Sequence, residues 1–434
     1  MKIDYFGATQ EIHTSQKTVD LPSSEDMGVL AEPLTVDGTT IPNRLVVQPM
    51  EGCDGTPNGQ PDELTRRRYM RFAGSGAGLI WVEATAVVLE GRANPRQLML
   101  SEQTLDSFKA LNEEIREISL RQNGFNPAIV LQLTHSGRYS KPEGKPAPII
   151  ARNNPIFETQ GALDESCIAG DGYFDSLPER YAKAAKLAGH AGFDGVDVKA
   201  CHGYLLNETF SAYTRPGKYG GSFENRTRLF RECIKAVKSV FGGLLTTRLS
   251  LYDGFSHPYG WGVDENGNPA PEEVFKLIEW LKDSVGITLI NATAGNPYVN
   301  PHVNRPYEKG AYVPPESPLE GVDRLCRCTA QIKKRFSDMV VIASGLSYMR
   351  GDGASLAAGL IKSGMADMAG FGRLAFADPE FAKNMIAGKS YEKNCCIACS
   401  KCSELMRAGG TAGCVVRDGA VYASIYKKFV MGMA

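Results

Sequence analysis

"FDGVDVKACHGYLLNETFSAYTRPGKYGGSFENR", residues 193–226, starts as a short β-branched apolar run and turns polar within a few positions. It sets down His202, Tyr204 and the Gly220–Gly221 pair before charged, helically patterned sequence takes over from Glu224 to Phe241. A strand that runs into polar chemistry and then into a helix is the repeating unit of a parallel α/β fold. Runs like Phe193–Lys199 recur at Arg44–Pro49, Gly78–Val87, Pro127–Leu133, Leu244–Ser250, Gly286–Ala292, Met339–Ser344 and Met365–Gly370. Helical patterns lie between them at Asp62–Ala73, Leu105–Arg121, Pro178–Ala191, Pro271–Asp283 and Asp378–Ala387. Eight buried strands alternating with helices predict an α/β fold of the (β/α)8 TIM-barrel class. A doubly wound open sheet is the rival, but no G-x-G-x-x-G follows the first strand, where such a sheet would carry one.

The expected organisation is an N-terminal extension over residues 1–30, a barrel over 31–390 and a short cysteine-rich C-terminal extension over 391–434. Proline- and asparagine-rich insertions are expected at Lys141–Tyr173 and Asn296–Ser317. With 48 basic and 49 acidic side chains, the net charge of −1 argues against nucleic acid or an acidic membrane as partner. Met1–Asp26 is polar and there is no run of 18 apolar residues, so no membrane partner and a cytoplasmic location are expected. Of the eleven cysteines, Cys395, Cys396, Cys399, Cys402 and Cys414 crowd one segment, which points to metal binding in a reducing compartment.

In such a barrel the chemistry gathers at the carboxyl ends of the strands. Lys199, His202 and Tyr204 follow the fourth strand, and the other ends bring Pro49-Met50, Glu83-Ala84, Gln132, Arg248 and Asn291. Ala343-Ser344-Gly345 and Gly370-Phe371-Gly372-Arg373 close the last two strands. Glycine-containing loops there are where this fold builds a phosphate pocket from backbone N–H groups.

Ordered motifs sharpen this reading: "IPNRLVVQPM" at the first strand, "LQLTHSGR" at the third, "HGYLLNETFSAYTR" with "YGGSFENR" after the fourth, "TTRLS" at the fifth, and "ASG" and "GFGR" at the last two. Over residues 30 to 390 the chain resembles the Old Yellow Enzyme family of flavin-dependent ene reductases. The resemblance implies FMN across the barrel mouth, its phosphate on Gly345, Gly372 and Arg373. Pro49, Met50 and Ala84 would touch the ring system, and Gln132 would bond its pyrimidine edge. Arg248 would sit where negative charge gathers on reduction, a placement that favours the reduced anion on electrostatic grounds alone.

By the same resemblance NAD(P)H is the electron donor and the substrate is a small enone or enoate. Lys199 and His202 hold its carbonyl while Tyr204 protonates carbon. Lys199 stands where the family usually has histidine, and as a point charge it suits an anionic substrate. Glu51 stands where relatives often carry cysteine or threonine, which puts the flavin potential in question. Asn207, Glu208, Tyr219, Glu224, Asn225 and Arg226 are expected to brace the loop and cap the next helix.

"CCIACSKCSELMRAGGTAGC" contains Cys396-x2-Cys399-x2-Cys402-x11-Cys414, a spacing that suits an iron–sulfur cluster or zinc, or holds no metal. The tail is similar to those of 2,4-dienoyl-CoA reductase and trimethylamine dehydrogenase, and that likeness implies a [4Fe–4S] cluster. Those relatives continue into further cofactor domains, so here electrons are expected from NAD(P)H directly or from a separate electron-transfer flavoprotein. A homo-oligomer is expected. Two other functions fit the residues: an amine or alcohol dehydrogenase of the trimethylamine dehydrogenase type, and a flavin-free lyase using Lys199.

Overall fold

Strand-forming residues with no polar alternation need cover on both faces, and the structure supplies it. The computed structural model describes residues 19–389 and 393–433. A hairpin comes first, β1 (Leu34–Val36) and β2 (Thr39–Ile41), joined by Asp37-Gly38 with both φ positive, the geometry that favours Asp-Gly in a two-residue turn. Then follow β3 (Leu45–Val47), β4 (Leu79–Ala86), β5 (Ala128–Thr134), β6 (Gly195–Val198), β7 (Leu244–Ser250), β8 (Leu289–Thr293), β9 (Val340–Ala343) and β10 (Met368–Phe371). These eight close a parallel barrel in the order β10-β3-β4-β5-β6-β7-β8-β9. Every residue of β4 through β8 is buried, as a strand sandwiched between barrel interior and outer helices must be.

The outer ring is formed by α1 (Glu63–Ala73), α2 (Leu105–Asn123), α3 (Asp171–His190), α4 (Leu205–Phe210), α5 (Phe223–Lys238), α6 (Glu272–Trp280), α7 (Pro301–Asn304), α8 (Pro318–Arg335), α9 (Gly353–Lys362), α10 (Arg373–Ala377) and α11 (Phe381–Ile386). α12 (Lys401–Arg407) and α13 (Gly419–Val430) belong to the cysteine-rich tail. All eight expected strands exist, with ends that match or shift by up to three residues. The helix expected from Pro178 begins earlier, at Asp171, because Phe174, Leu177 and Tyr181 continue its buried stripe back through the proline. α8 starts sharply at Pro318, where Ser317 and Glu320 form a reciprocal cap.

Val36 and Ile41 of the hairpin share one apolar cluster with Leu79, Ala128, Leu244, Leu289 and Met368, each the first residue of its strand. The hairpin therefore stoppers the end of the barrel where the strands begin. Each such side chain contributes about 1.5–3 kcal/mol when fully buried. The expected 1–30 extension lies outside the described residues over 1–18, and the expected boundary at 390/391 falls on residues 390–392, also outside them.

Candidate active site

At the opposite end the strand termini open into a cavity of about 1080 Å³. It is lined by Pro49, Met50, Gln132, Lys199, His202, Tyr204, Arg248, Gly345, Gly372 and Arg373, so ten of the expected site residues meet in one space. Ala84 is not among the lining residues. It is buried within β4, its carbonyl accepting from Gln97 Nε2 at 3.0 Å. Gln48, Tyr298, Asn304 and Arg305 line the cavity as well, and none of them was a candidate from sequence; Glu51, singled out there beside the flavin, lines it too.

The floor is a network of buried polar groups. Asp197 Oδ2 accepts from Trp81 Nε1 at 2.9 Å and from Gln132 Nε2 at 2.6 Å, while its Oδ1 accepts from the Arg248 backbone N–H at 2.7 Å. Burial pushes the Asp197 carboxyl up to about 6 despite these donors. Arg248 donates from one terminal nitrogen to Gln48 Oε1 at 2.6 Å, and Asn291 Nδ2 donates to the same oxygen at 2.8 Å. Gln48 Nε2 and Arg248 Nε are buried with no protein partner. A buried donor left unpaired costs about 1–3 kcal/mol, so these two call for a ligand rich in acceptors.

At the side of the cavity formed after β9 and β10 the backbone itself is exposed to a ligand. Gly345 has φ +83°, and a Cβ there would overlap Leu325. A Cβ at Gly372 would overlap Met50 Sδ. Beside them lie Arg373, buried, and Arg305, half-buried with a buried Nε; among the described residues neither is in an ion pair with an acid. Arg373 donates to the Pro306 carbonyl at 2.9 Å, but one of its terminal nitrogens and Arg305 Nε have no partner. Burial and then the nearby Arg373 charge lower the Arg305 guanidinium to about 10. Two neighbouring like charges with spare buried donors call for an anion, and a phosphate monoester matches both their charge and their fork geometry. An acceptor-rich ring over the floor and a phosphate at this end are the parts of FMN, so these residues fit it.

A family model described as NADH:flavin oxidoreductase / NADH oxidase family matches residues 29–392. The chain belongs to that family. It is an FMN-dependent NAD(P)H oxidoreductase of the Old Yellow Enzyme kind. An NADPH dehydrogenase of Bacillus subtilis (strain 168) is 30% identical over 360 residues, covering 82% of this chain and 93% of that protein. An old yellow enzyme homologue from Zymomonas mobilis shares the fold with a TM-score of 0.62 at 22% identity, over 82% of this chain and 92% of that one. A 2-naphthoyl-CoA reductase in complex with 2-naphthoyl-CoA has a TM-score of 0.73 at 19% identity. The match takes in 92% of this chain but only 58% of that one, so this chain spans little more than half of that reductase.

Within this flavoenzyme, the loop after β6 is braced as expected. Asn207 Oδ1 accepts from Gly203 N–H at 2.7 Å, Glu208 Oε1 accepts from Ala151 N–H at 2.6 Å, and Ser222 caps α5 through Asn225 N–H. His202, at φ +69°, sets its Nε2 3.0 Å from Asn304 Nδ2. That amide donates, so the ring proton is on Nδ1. Burial and the charges of Lys199, Arg248 and Arg305 keep the imidazole well below its usual pKa, hence neutral. Tyr204 donates its hydroxyl to Glu51 Oε1 at 3.0 Å and lies 3.1 Å from the Tyr298 hydroxyl. Burial, then Glu51, raises its pKa well above the usual phenol value, so it carries its proton. Lys199 Nζ sits 3.6 Å above the Tyr204 ring and 3.6 Å from Glu51 Oε1. Tyr298 in turn stacks on Tyr139 with ring centroids 3.7 Å apart.

The tail closes the flavoenzyme's cavity from one side through Cys402, Met406 and Ala412. Cys396, Cys399, Cys402 and Cys414 line a second cavity of about 360 Å³, which shares Arg373, Phe376 and Cys402 with the first. Cys396 Sγ accepts from Ala398 N–H at 3.4 Å and Cys414 Sγ from Arg417 N–H at 3.3 Å. Among the described residues no three ligand side chains converge on a point, as a single ion requires. Arg305 escaped the sequence reading because its only signal was an Asn-Arg-Pro step inside an insertion.

Proposed function

We propose that this protein reduces the C=C bond of a small α,β-unsaturated carbonyl compound, with Tyr204 as proton donor. Bound FMN supplies the hydride, taken from NAD(P)H. The phosphate would be held by Gly345, Gly372, Arg373 and Arg305, and the ring by Pro49, Met50, Gln132, Gln48 and Arg248. His202 offers its Nδ1–H to the substrate carbonyl as a neutral donor, leaving the hydroxyl of Tyr204 to reach the carbon that needs a proton. His202 then acts on the carbonyl oxygen and Tyr204 on the α-carbon, two bonds apart in one conjugated system.

The observation that carries this reading is the position of Lys199. An amine dehydrogenase would receive a cation into aromatic and acidic surroundings, by cation–π and ionic attraction. Here the Lys199 ammonium already occupies the Tyr204 face and the Glu51 carboxylate. A Schiff-base lyase is disfavoured as well, since Lys199 Nζ is already engaged by Glu51 and by the Tyr204 ring face and is not presented free to a substrate carbonyl. The test is NADPH oxidation by anaerobic protein with cinnamaldehyde, set against trimethylamine with an artificial acceptor. Turnover of the amine alone would discard the proposal.

For the tail, we infer that Cys396, Cys399, Cys402 and Cys414 hold a [4Fe–4S] cluster, supported by the thiol-lined cavity and its N–H···S bonds. The shared wall with the flavin cavity suits transfer of electrons from a separate electron-transfer flavoprotein, the alternative donor to NAD(P)H. Eleven free cysteines support a reducing, cytoplasmic setting.

A further inference from the structure

Glu51 is the only acidic side chain lining the active-site cavity among the described residues. Its Oε1 is shared, 3.0 Å from the Tyr204 hydroxyl and 3.6 Å from Lys199 Nζ. The two partners come from the ends of β3 and β6, with side chains only 16% and 4% exposed for Glu51 and Lys199. Among the described residues Lys199 has no other acid within ion-pair distance. The remaining charges on the wall are Arg248, bonded to Gln48, Arg407, bonded to the Pro297 carbonyl at 2.9 Å, and the Arg305 and Arg373 pair assigned above to the phosphate. Beside Tyr204, Glu51 and Lys199 offset each other's charge.

We propose that the Glu51–Lys199 pair sets the charge preference of the site, admitting uncharged enones and rejecting enoates. This rests on the ene-reductase reading and reverses the expectation that Lys199 alone suits an anionic substrate. A substrate carboxylate would have to take Lys199 from Glu51, leaving a largely buried carboxylate without its cation and setting two negative groups side by side. A neutral carbonyl beside His202 and Tyr204 leaves the pair intact. Specificity here comes from repulsion as much as attraction. Removing the charge at position 51 frees Lys199 as a receptor for carboxylate.

The test is binding of cinnamate and of its uncharged isostere cinnamamide to oxidised holoenzyme, read from perturbation of the flavin absorbance. Glu51→Gln is expected to lower the cinnamate Kd relative to that of cinnamamide by about tenfold or more. Glu51→Gln combined with Lys199→Gln is expected to lose that gain. Should Glu51→Gln not retain flavin, Glu51→Cys gives the same comparison with less bulk. A cinnamate-to-cinnamamide ratio equal to that of the parent overturns the proposal. Reduction of cinnamaldehyde by the parent enzyme is scored separately. Its absence would remove the ene-reductase reading, while the binding ratio would still report on the pair.

Discussion

Ala412 donates its backbone N–H to the carbonyl of Gly52 at 2.7 Å. Across 360 positions of sequence, this bond ties the cysteine-rich tail to the loop that carries Met50 and Glu51 into the active site. Arg67 reinforces it with a two-pronged grip on Asp418 at 2.7 and 2.9 Å. Whatever organises the tail therefore also holds one wall of the flavin cavity.

Loss of the proposed cluster should accordingly weaken flavin retention. Anaerobically purified protein is expected to hold about four irons per chain. Cys399→Ser should lose the iron and its broad absorption, and also show a lower flavin-to-protein ratio after gel filtration. Full iron loss with unchanged flavin would separate the two sites, and stoichiometric zinc would make the tail a structural clip.

The phosphate assignment predicts a discriminating pattern of affinities. Arg305→Ala or Arg373→Ala removes charge-assisted donors worth about 1.5–3 kcal/mol, so FMN binding to the apoprotein should weaken about ten- to a hundredfold. Riboflavin, which lacks the phosphate, should bind each variant nearly as it binds the parent. Fluorescence quenching titrations measure both. Equal losses for the two ligands would move these arginines away from the phosphate.

Tyr204→Phe removes one hydroxyl with little change in volume. Flavin reduction by NADPH in the stopped flow should stay near the parental rate, while reoxidation by cinnamaldehyde should fall by about two to four orders of magnitude. Parental reoxidation would assign the proton to another group, with Tyr298 the next nearest hydroxyl at 3.1 Å from that of Tyr204.

Asp197 should leave a signature in stability against pH. Its carboxyl, pushed up to about 6 by burial, keeps its proton in the folded state between roughly pH 4 and 6, where the unfolded chain has already released it. The folded state binds the extra proton in that window, so this group's contribution is greatest near pH 4 and declines as pH rises to 6. Linkage puts the decline at about 3 kcal/mol. Asp197→Asn should be less stable overall, having lost an acceptor for Trp81 and Gln132, and its deficit should shrink from pH 4.5 to 7. Urea unfolding at intervals across that range checks the sign. A deficit that stays flat across that range would mean that Asp197 is ionised throughout.

The barrel was legible because strands such as Ala128–Thr134 open on an unbroken apolar run, a pattern that needs no tertiary knowledge to read. The strand-end residues Arg248, His202 and Tyr204 were legible for a related reason: a polar side chain closing an apolar run has few places to go except the mouth. Pairings across the mouth were not. Glu51 and Lys199 meet only because β3 and β6 stand on one closed ring, and nothing in either local sequence announces the other. Arg305 reaches the cavity through the turn that α7 imposes on a proline-rich insertion, which periodicity does not describe. The docking of Ala412 on Gly52 is a backbone contact, blind to side-chain identity and so invisible in sequence.

The hairpin that stoppers the barrel has a kinetic consequence. With Val36 and Ile41 packed into the end where the strands begin, the site cavity lies at the other end of the ring. If nicotinamide and unsaturated carbonyl share one berth beside Tyr204, each has to leave before the other enters. Parallel double-reciprocal plots, and inhibition by an excess of either visitor, are how that traffic rule shows itself at steady state.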